Sequence, residues 1–221
     1  MIRDFSVGPI GENVYLVERY GQALAIIDPG DEADRIVAEA QLSMQRIGTQ
    51  EILVICTHGH LDHVSALPEV VDSLRAQGYT LTVYAPQGDS AYFGPPAEAT
   101  NRRVFADIRA SAYFSKHWKP IPLPDVWYGN GFRFPGTDLY ALHTPGHTPG
   151  SSCIVAEGGS AVLSGDTLFR DGRGRTDNHD SDERALVRSI RETLCVLPDA
   201  TRVWPGHGES TSIGREKNYY L

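Results

Sequence analysis

The stretch "ICTHGHLDHVSAL", residues 55–67, places His58, His60, Asp62 and His63 directly after the apolar run "EILVIC". The chain has eight histidines, and three fall here. Such an apolar run reads as a buried strand, so a polar cluster at its end belongs at a sheet edge or in a cleft. Imidazole nitrogens suit zinc-like ions, and carboxylates add charge and can bridge. In His-x-His, alternate residues of an extended chain face one side, so His58 and His60 can grip one ion. Asp62 and His63 are adjacent, point differently, and could serve a second.

The same arrangement recurs at three more strand ends. "LYALHTPGH" leads through a turn to His147, "SAVLSGD" to Asp166 and "TRVWPGH" to His207. Glycines near these residues let the backbone turn tightly and approach an ion closely. The full set is His58, His60, Asp62, His63, His147, Asp166 and His207. A single closed zinc site uses four ligands. Two ions sharing a carboxylate would use them all.

The order of elements is compatible with two packed sheets flanked by helices. Strands are expected at "ENVYLVER", "ALAIIDPG", "EILVIC" and "LTVYAP", then at "FRFP", "DLYALHT", "SSCIVAE", "SAVLSG" and "TRVW". "ENVYLVER" alternates in the manner of a half-buried strand. "SSCIVAE" and "SAVLSG" flank Gly158 and Gly159 and read as a hairpin. "DEADRIVAEAQLSMQRIG" predicts a helix with Ile36, Ala40, Met44 and Ile47 on one face and Gly48 past its end. "LPEVVDSLRAQG" predicts another, with Pro68 in its first turn. "DERALVRSIRETLCVL" predicts a third, with Leu186, Ile190, Leu194 and Leu197 inward and a capping box from Asp180 and Glu183. "IGREKNYYL" predicts a short terminal helix. Residues 88–128 stand apart: they carry Tyr92, Phe93, Phe105, Tyr113, Phe114, Trp118 and Trp127 in a helical, then proline-rich segment, expected to be a lid or insertion.

Composition narrows the function classes. The chain has 221 residues and a net charge of −8, which fits a single domain over 1–221 and argues against nucleic-acid or anionic-membrane partners. No apolar run reaches the length of a membrane-spanning helix. The N-terminus lacks a signal-peptide pattern, and Cys56, Cys153 and Cys195 form no disulfide framework. A cytoplasmic location is expected.

"HGHLDH", the second histidine of "HTPGHTPGS", the aspartate of "SGD" and the histidine of "PGHG" resemble the metallo-β-lactamase superfamily. "HTPGHTPGSSC", "GDTLFRDGRGRTD" and "VWPGHGESTSIGREKN" are most similar to its glyoxalase II-like (hydroxyacylglutathione hydrolase-like) branch. The resemblance implies an α+β fold, a four-layer αββα sandwich with metals at the sheet edges. It implies two divalent ions, zinc first, with iron or manganese as alternatives. One would be held by His58, His60 and His147, the other by Asp62, His63 and His207, with Asp166 bridging and a hydroxide between the ions as nucleophile. Asp62 and Asp166 would be catalytic as well as ligands. Arg175, with Arg173 beside it, would bind the substrate. The chain departs from the branch at Thr176 and Asp177, where a tyrosine usually follows the basic residue.

Asp28 in "IIDPG" and His143 before the ligand turn are candidates to support ligand histidines. The expected substrate is a small acyl thioester, such as S-lactoylglutathione, or an ester. A thiolate leaves without the protonation that an amine needs. A lactonase could use the same metals. "GRTD" also occurs in persulfide dioxygenases, which hold a single iron. A non-catalytic metal-binding module is a further class, disfavoured by the complete ligand set.

Overall fold

The computed structural model describes residues 1–19, 21–156 and 159–220. Glu157, Gly158 and Leu221 lie outside the described residues, and with them the ends of the expected 151–157 strand and terminal helix and part of the Gly-Gly turn.

Two sheets face each other. The first contains six strands in chain order: β1 (Ile2–Val7), β2 (Glu12–Val17), β3 (Leu24–Ile27), β4 (Glu51–Ile55), β5 (Thr80–Pro86) and β6 (Val126–Tyr128). The second contains β7 (Leu139–His143), β8 (Ser152–Ala156), β9 (Ala161–Gly165), β12 (Arg202–Pro205) and β13 (Thr211–Ser212), in the order β13-β12-β9-β8-β7. A two-residue hairpin, β10 (Leu168–Phe169) with β11 (Gly172–Arg173), lies between β9 and the last helix.

The apolar runs are continuous because each strand serves two cores. In β3, Leu24 and Ile26 join the core beneath helices α1 (Ala33–Ile47) and α3 (Leu67–Ala76), while Ala25 and Ile27 enter the layer between the sheets. β4 divides likewise, Ile52 and Val54 from Leu53 and Ile55. In β8, Ile154 and Ala156 face the inter-sheet layer, and Cys153 and Val155 face helix α6 (Glu183–Ser189). Helix, sheet, sheet, helix is thus the order of layers, the αββα sandwich, and burial on both faces removes the polar alternation of a one-sided sheet.

Several local expectations are corrected. β2 is buried along its whole length rather than half-buried, because the helix layer covers its outer side. β1, β6, β10, β11 and β13 are strands the sequence pattern does not single out; most are short or at an edge, with too few residues to show a period. "FRFP" is not a strand: only Arg133 bridges, to Tyr140, and Phe134 is buried in the inter-sheet layer. The cap of α6 is Asp182, whose carboxylate accepts from the Ala185 N–H at 3.0 Å, so the Asp180–Glu183 box does not form. α6 runs on as a wider π turn over Ile190–Leu194. Leu186, Ile190 and Leu194 are buried, while Leu197 is partly covered.

Residues 88–128 contain a 3₁₀ turn (Gln87–Tyr92), α4 (Ala97–Asp107), α5 (Ser111–His117) and β6, which belongs to the first sheet. Tyr92 and Phe93 are core residues. Among the described residues no helix is long and apolar enough to cross a membrane.

Candidate metal centre

β4 ends at Ile55, and the chain then bends at Thr57 and His58 and is extended at His60 before a single helical turn, α2 (Leu61–Val64). The bend brings the rings of His58 and His60 to 4.9 Å between centroids; the turn that follows carries Asp62 and His63 to the other cluster. His147 comes from the loop between β7 and β8, Asp166 follows β9, and His207 follows β12. These positions follow the ends of strands in both sheets, so the packing of the sheets brings all seven side chains together.

Two clusters result: His58, His60 and His147 form one, and Asp62, His63 and His207 the other, with the candidate ligand atoms in each within 4.8 Å of one another. Asp166 lies between them. Its Oδ1 is 3.3 Å from His63 Nε2, and its Oδ2 is 3.5 Å from His147 Nε2 and 3.8 Å from His207 Nε2. Asp62 Oδ2 is 3.3 Å from His207 Nε2 and 3.7 Å from His63 Nε2. Ligands bonded at about 2.0–2.1 Å around a tetrahedral ion are separated by roughly 3.3 Å, so these spacings fit. The buried Nε2 atoms of His58, His63 and His147 and the Oδ1 of Asp166 have no hydrogen-bond partner. Buried polar atoms are normally satisfied, and a cation in each cluster would satisfy these four.

The opposite edges of the rings are fixed. His63 Nδ1 donates to Asp28 Oδ2 at 3.0 Å. Asp28 also accepts the N–H and the hydroxyl of Thr57, each at 2.6 Å, and the Thr57 hydroxyl lies 3.1 Å from His58 Nδ1. His147 Nδ1 donates to the Arg175 carbonyl at 2.8 Å. Each bond turns its ring so that Nε2 faces the cluster, and at His58 and His147 it also sets the tautomer that leaves Nε2 free to bind metal. Two glycines permit the crowding: a Cβ on Gly206 would come 2.3 Å from Asp166 Oδ1, and one on Gly174 would come 1.9 Å from the Asp166 carbonyl.

The two clusters differ electrostatically. Burial, reinforced by the neighbouring imidazoles, holds His58 well below its ordinary value and His60 down at about 3. Both are therefore neutral, the form that binds metal. Burial opposes the charge on His63, but Asp166 and Asp62 outweigh it and raise His63 well above its ordinary value. Burial would likewise raise the two aspartates, yet His63 and His207 outweigh it, holding Asp62 at about 2 and Asp166 well below the carboxylate range.

Other predicted residues have plain placements. Arg175 sits at the rim of the cavity over the centre, with its guanidinium bound to both oxygens of Asp177 at 2.8 and 2.6 Å. Arg173 pairs with Glu183 at 2.6 Å and Arg170 with Glu209; neither lines the cavity. His143 is exposed, and its Nε2 lies 2.9 Å from the Pro149 carbonyl, so it braces the loop carrying His147 rather than a ligand ring.

Three further residues escaped the sequence reading. Asp89 accepts from the N–H groups of Gly59 and Gly150, at 2.9 and 2.6 Å, and from the Thr148 hydroxyl at 2.8 Å. It thereby ties the His58–His60 loop to the His147 loop; burial, only partly offset by these donors, raises it to about 7. The Asn178 amide lies 3.4 Å from His60 Nε2. Glu12, 1% exposed, sits 3.7 Å from His63 Nδ1 with neither oxygen hydrogen-bonded. A carboxylate heading a wholly buried strand was the available signal for Glu12; Asp89 and Asn178 have none.

The family profile described as the Metallo-beta-lactamase superfamily matches residues 7–207. The chain belongs to that superfamily. It is 32% identical to the probable metallo-hydrolase YqgX of Bacillus subtilis (strain 168), over 98% of this chain and 94% of that one. It is 34% identical to the hydroxyacylglutathione hydrolase GloC of Haemophilus influenzae, over 87% of this chain and 84% of that one. The crystal structure of TTHA1623 in a di-iron-bound form superposes with a TM-score of 0.76 at 35% identity, covering 97% of this chain and 96% of that one.

Proposed function

We propose that this metallo-hydrolase of the superfamily binds two divalent ions, zinc in the first instance, and cleaves a thioester. The observation that carries the reading is the Asp166 carboxylate, with one oxygen toward His63 and the other toward His147 and His207, the posture of a shared ligand. His58, His60 and His147 would hold one ion; Asp62, His63 and His207 would hold the other. Bound ions would polarise the substrate carbonyl and lower the pKa of water from 15.7 to about 7.

The chain's own part is to set charge and position. Asp62 and Asp166 stay carboxylates and offset the cations. Asp62 also faces the cavity, where it can orient a water. Asp28, Thr57 and the Arg175 carbonyl hold the imidazoles in register. Among the described residues lining the cavity and not assigned to a metal ion, Tyr113 is the proton donor closest in kind to a general acid, and burial raises it, so the site favours a leaving group that needs no proton. A thiolate is such a group. The similarity to a hydroxyacylglutathione hydrolase supports the same choice, and that to a di-iron protein keeps iron as the alternative metal.

The rival reading is a persulfide dioxygenase with one iron, resting on "GRTD" at 174–177; a lactonase would share the ions. Metal analysis of the purified protein, with a thioester and lactone panel run on an oxygen electrode, separates them. Two metal equivalents and thioester cleavage without oxygen uptake are expected. One iron, oxygen uptake with glutathione persulfide and intact thioesters would overturn the proposal.

A further inference from the structure

The cavity above the ligands has a volume of about 340 Å³ and two unlike sides. One side is the centre itself, with Asn178 and Arg175. The other is an apolar wall from α4 and the turn after it, chiefly Val104, Phe105 and Ile108, continued by Tyr113 of α5. Tyr113 stacks on Phe105 at 5.3 Å with the rings 9° apart, which makes part of the wall flat. At the rim stands Ile10, 48% exposed and one of few large apolar side chains left in solvent.

Fixed positive charge is scarce. Among the described residues that line the cavity, Arg175 is the sole arginine or lysine, and Asp177 takes it in a two-pronged pair. The volume is at the small end of the roughly 300–1,000 Å³ typical of small-molecule sites, so a tripeptide thiol would not be enclosed.

We propose that the substrate carries a compact, uncharged, apolar group beside the scissile carbonyl, seated against the α4–α5 wall, and that recognition does not depend on an anionic group. This inference rests on the thioesterase reading. Straight alkyl chains of hexanoyl size and a phenylacetyl group have the required shape. Removing such a group from water supplies affinity in proportion to the apolar area covered.

The test uses the metal-loaded protein and thioesters of one neutral thiol, N-acetylcysteamine, with hexanoyl, phenylacetyl, acetyl or D-lactoyl groups, alongside S-lactoylglutathione and the acetyl thioester of benzyl mercaptan. The hexanoyl or phenylacetyl ester should exceed the lactoyl ester in kcat/KM by about tenfold or more. The benzyl arm reports whether the apolar group belongs on the thiol side instead; preference there also supports the inference. Ile108→Glu and, at the exposed rim where folding is not at risk, Ile10→Glu should each shrink the hexanoyl-to-acetyl ratio. Calorimetric titration with hexanamide and lactamide supplies a readout independent of turnover, with tighter binding of hexanamide expected. A tenfold preference for S-lactoylglutathione over every neutral ester, or ratios unmoved in both variants, would overturn the inference and leave the thioesterase standing. If no thioester is cleaved yet hexanamide binds better than lactamide, the thioesterase reading falls and the apolar subsite stands; equal binding of the two amides would remove the subsite.

Discussion

The two clusters of the centre stand side by side and are built on opposite principles. His58, His60 and His147 are three imidazoles in a buried setting that keeps His58 and His60 neutral. Asp62, His63 and His207 include a carboxylate, and His63 has Asp28 behind it and Glu12 nearby. In the first cluster the empty Nε2 positions are created by bonds on the far edges of the rings. In the second, a proton on His63 supplies the positive charge that the surrounding carboxylates require. The difference teaches that one cluster is ready for an ion, whereas the other must exchange a proton for one.

The largest expected effect comes from removing what the clusters share. Asp166→Ala should empty both and lower kcat by about a thousandfold, some 4 kcal/mol of transition-state stabilisation. Elemental analysis showing both ions retained would break the comparison at its hinge.

His207→Ala should act on the second cluster alone. Metal content should fall to about one equivalent and kcat by roughly a hundredfold, with the ion at His58, His60 and His147 still bound in a spectroscopic titration with cobalt. Loss of both ions would show that the clusters fill as a unit.

The smallest effect is the proton count. His58 and His60 lie below their ordinary values, so at pH 7 they carry no proton to lose and the first ion should bind without releasing one from them. His63 lies well above its ordinary value and His207 is raised too, both by the facing aspartates, so the second ion should release protons from both rings. Affinity for the second ion should therefore rise with pH more steeply than affinity for the first. Zinc calorimetry in buffers of different ionisation enthalpy reads both numbers, and equal release at the two steps would erase the distinction.

The sequence by itself determined the strands that end in candidate ligands, the types of those residues, and their surplus over what a single ion would use. It could do so because buried strands have a strong apolar signature, and because His-x-His followed by Asp-His on one turn fixes directions over a few residues. Tertiary structure decided everything that depends on two segments meeting. Asp28 is legible in the sequence as a support for a ligand histidine, but that the histidine is His63, 35 positions on, is set by the fold; Asp89 joins loops 30 and 61 positions away, and Asn178 reaches His60 across 118. No local pattern encodes such pairs. The arginines of residues 170–175 show the converse: their sequence reads as a basic cluster, but folding gives Arg170, Arg173 and Arg175 the carboxylates Glu209, Glu183 and Asp177. The aromatic segment divides in the same way. Tyr92, Phe93 and Phe105 are drawn into the core while the half-buried Tyr113, stacked on Phe105, is left at the cavity, because which aromatic side chains meet the core is settled by the surface their elements pack against.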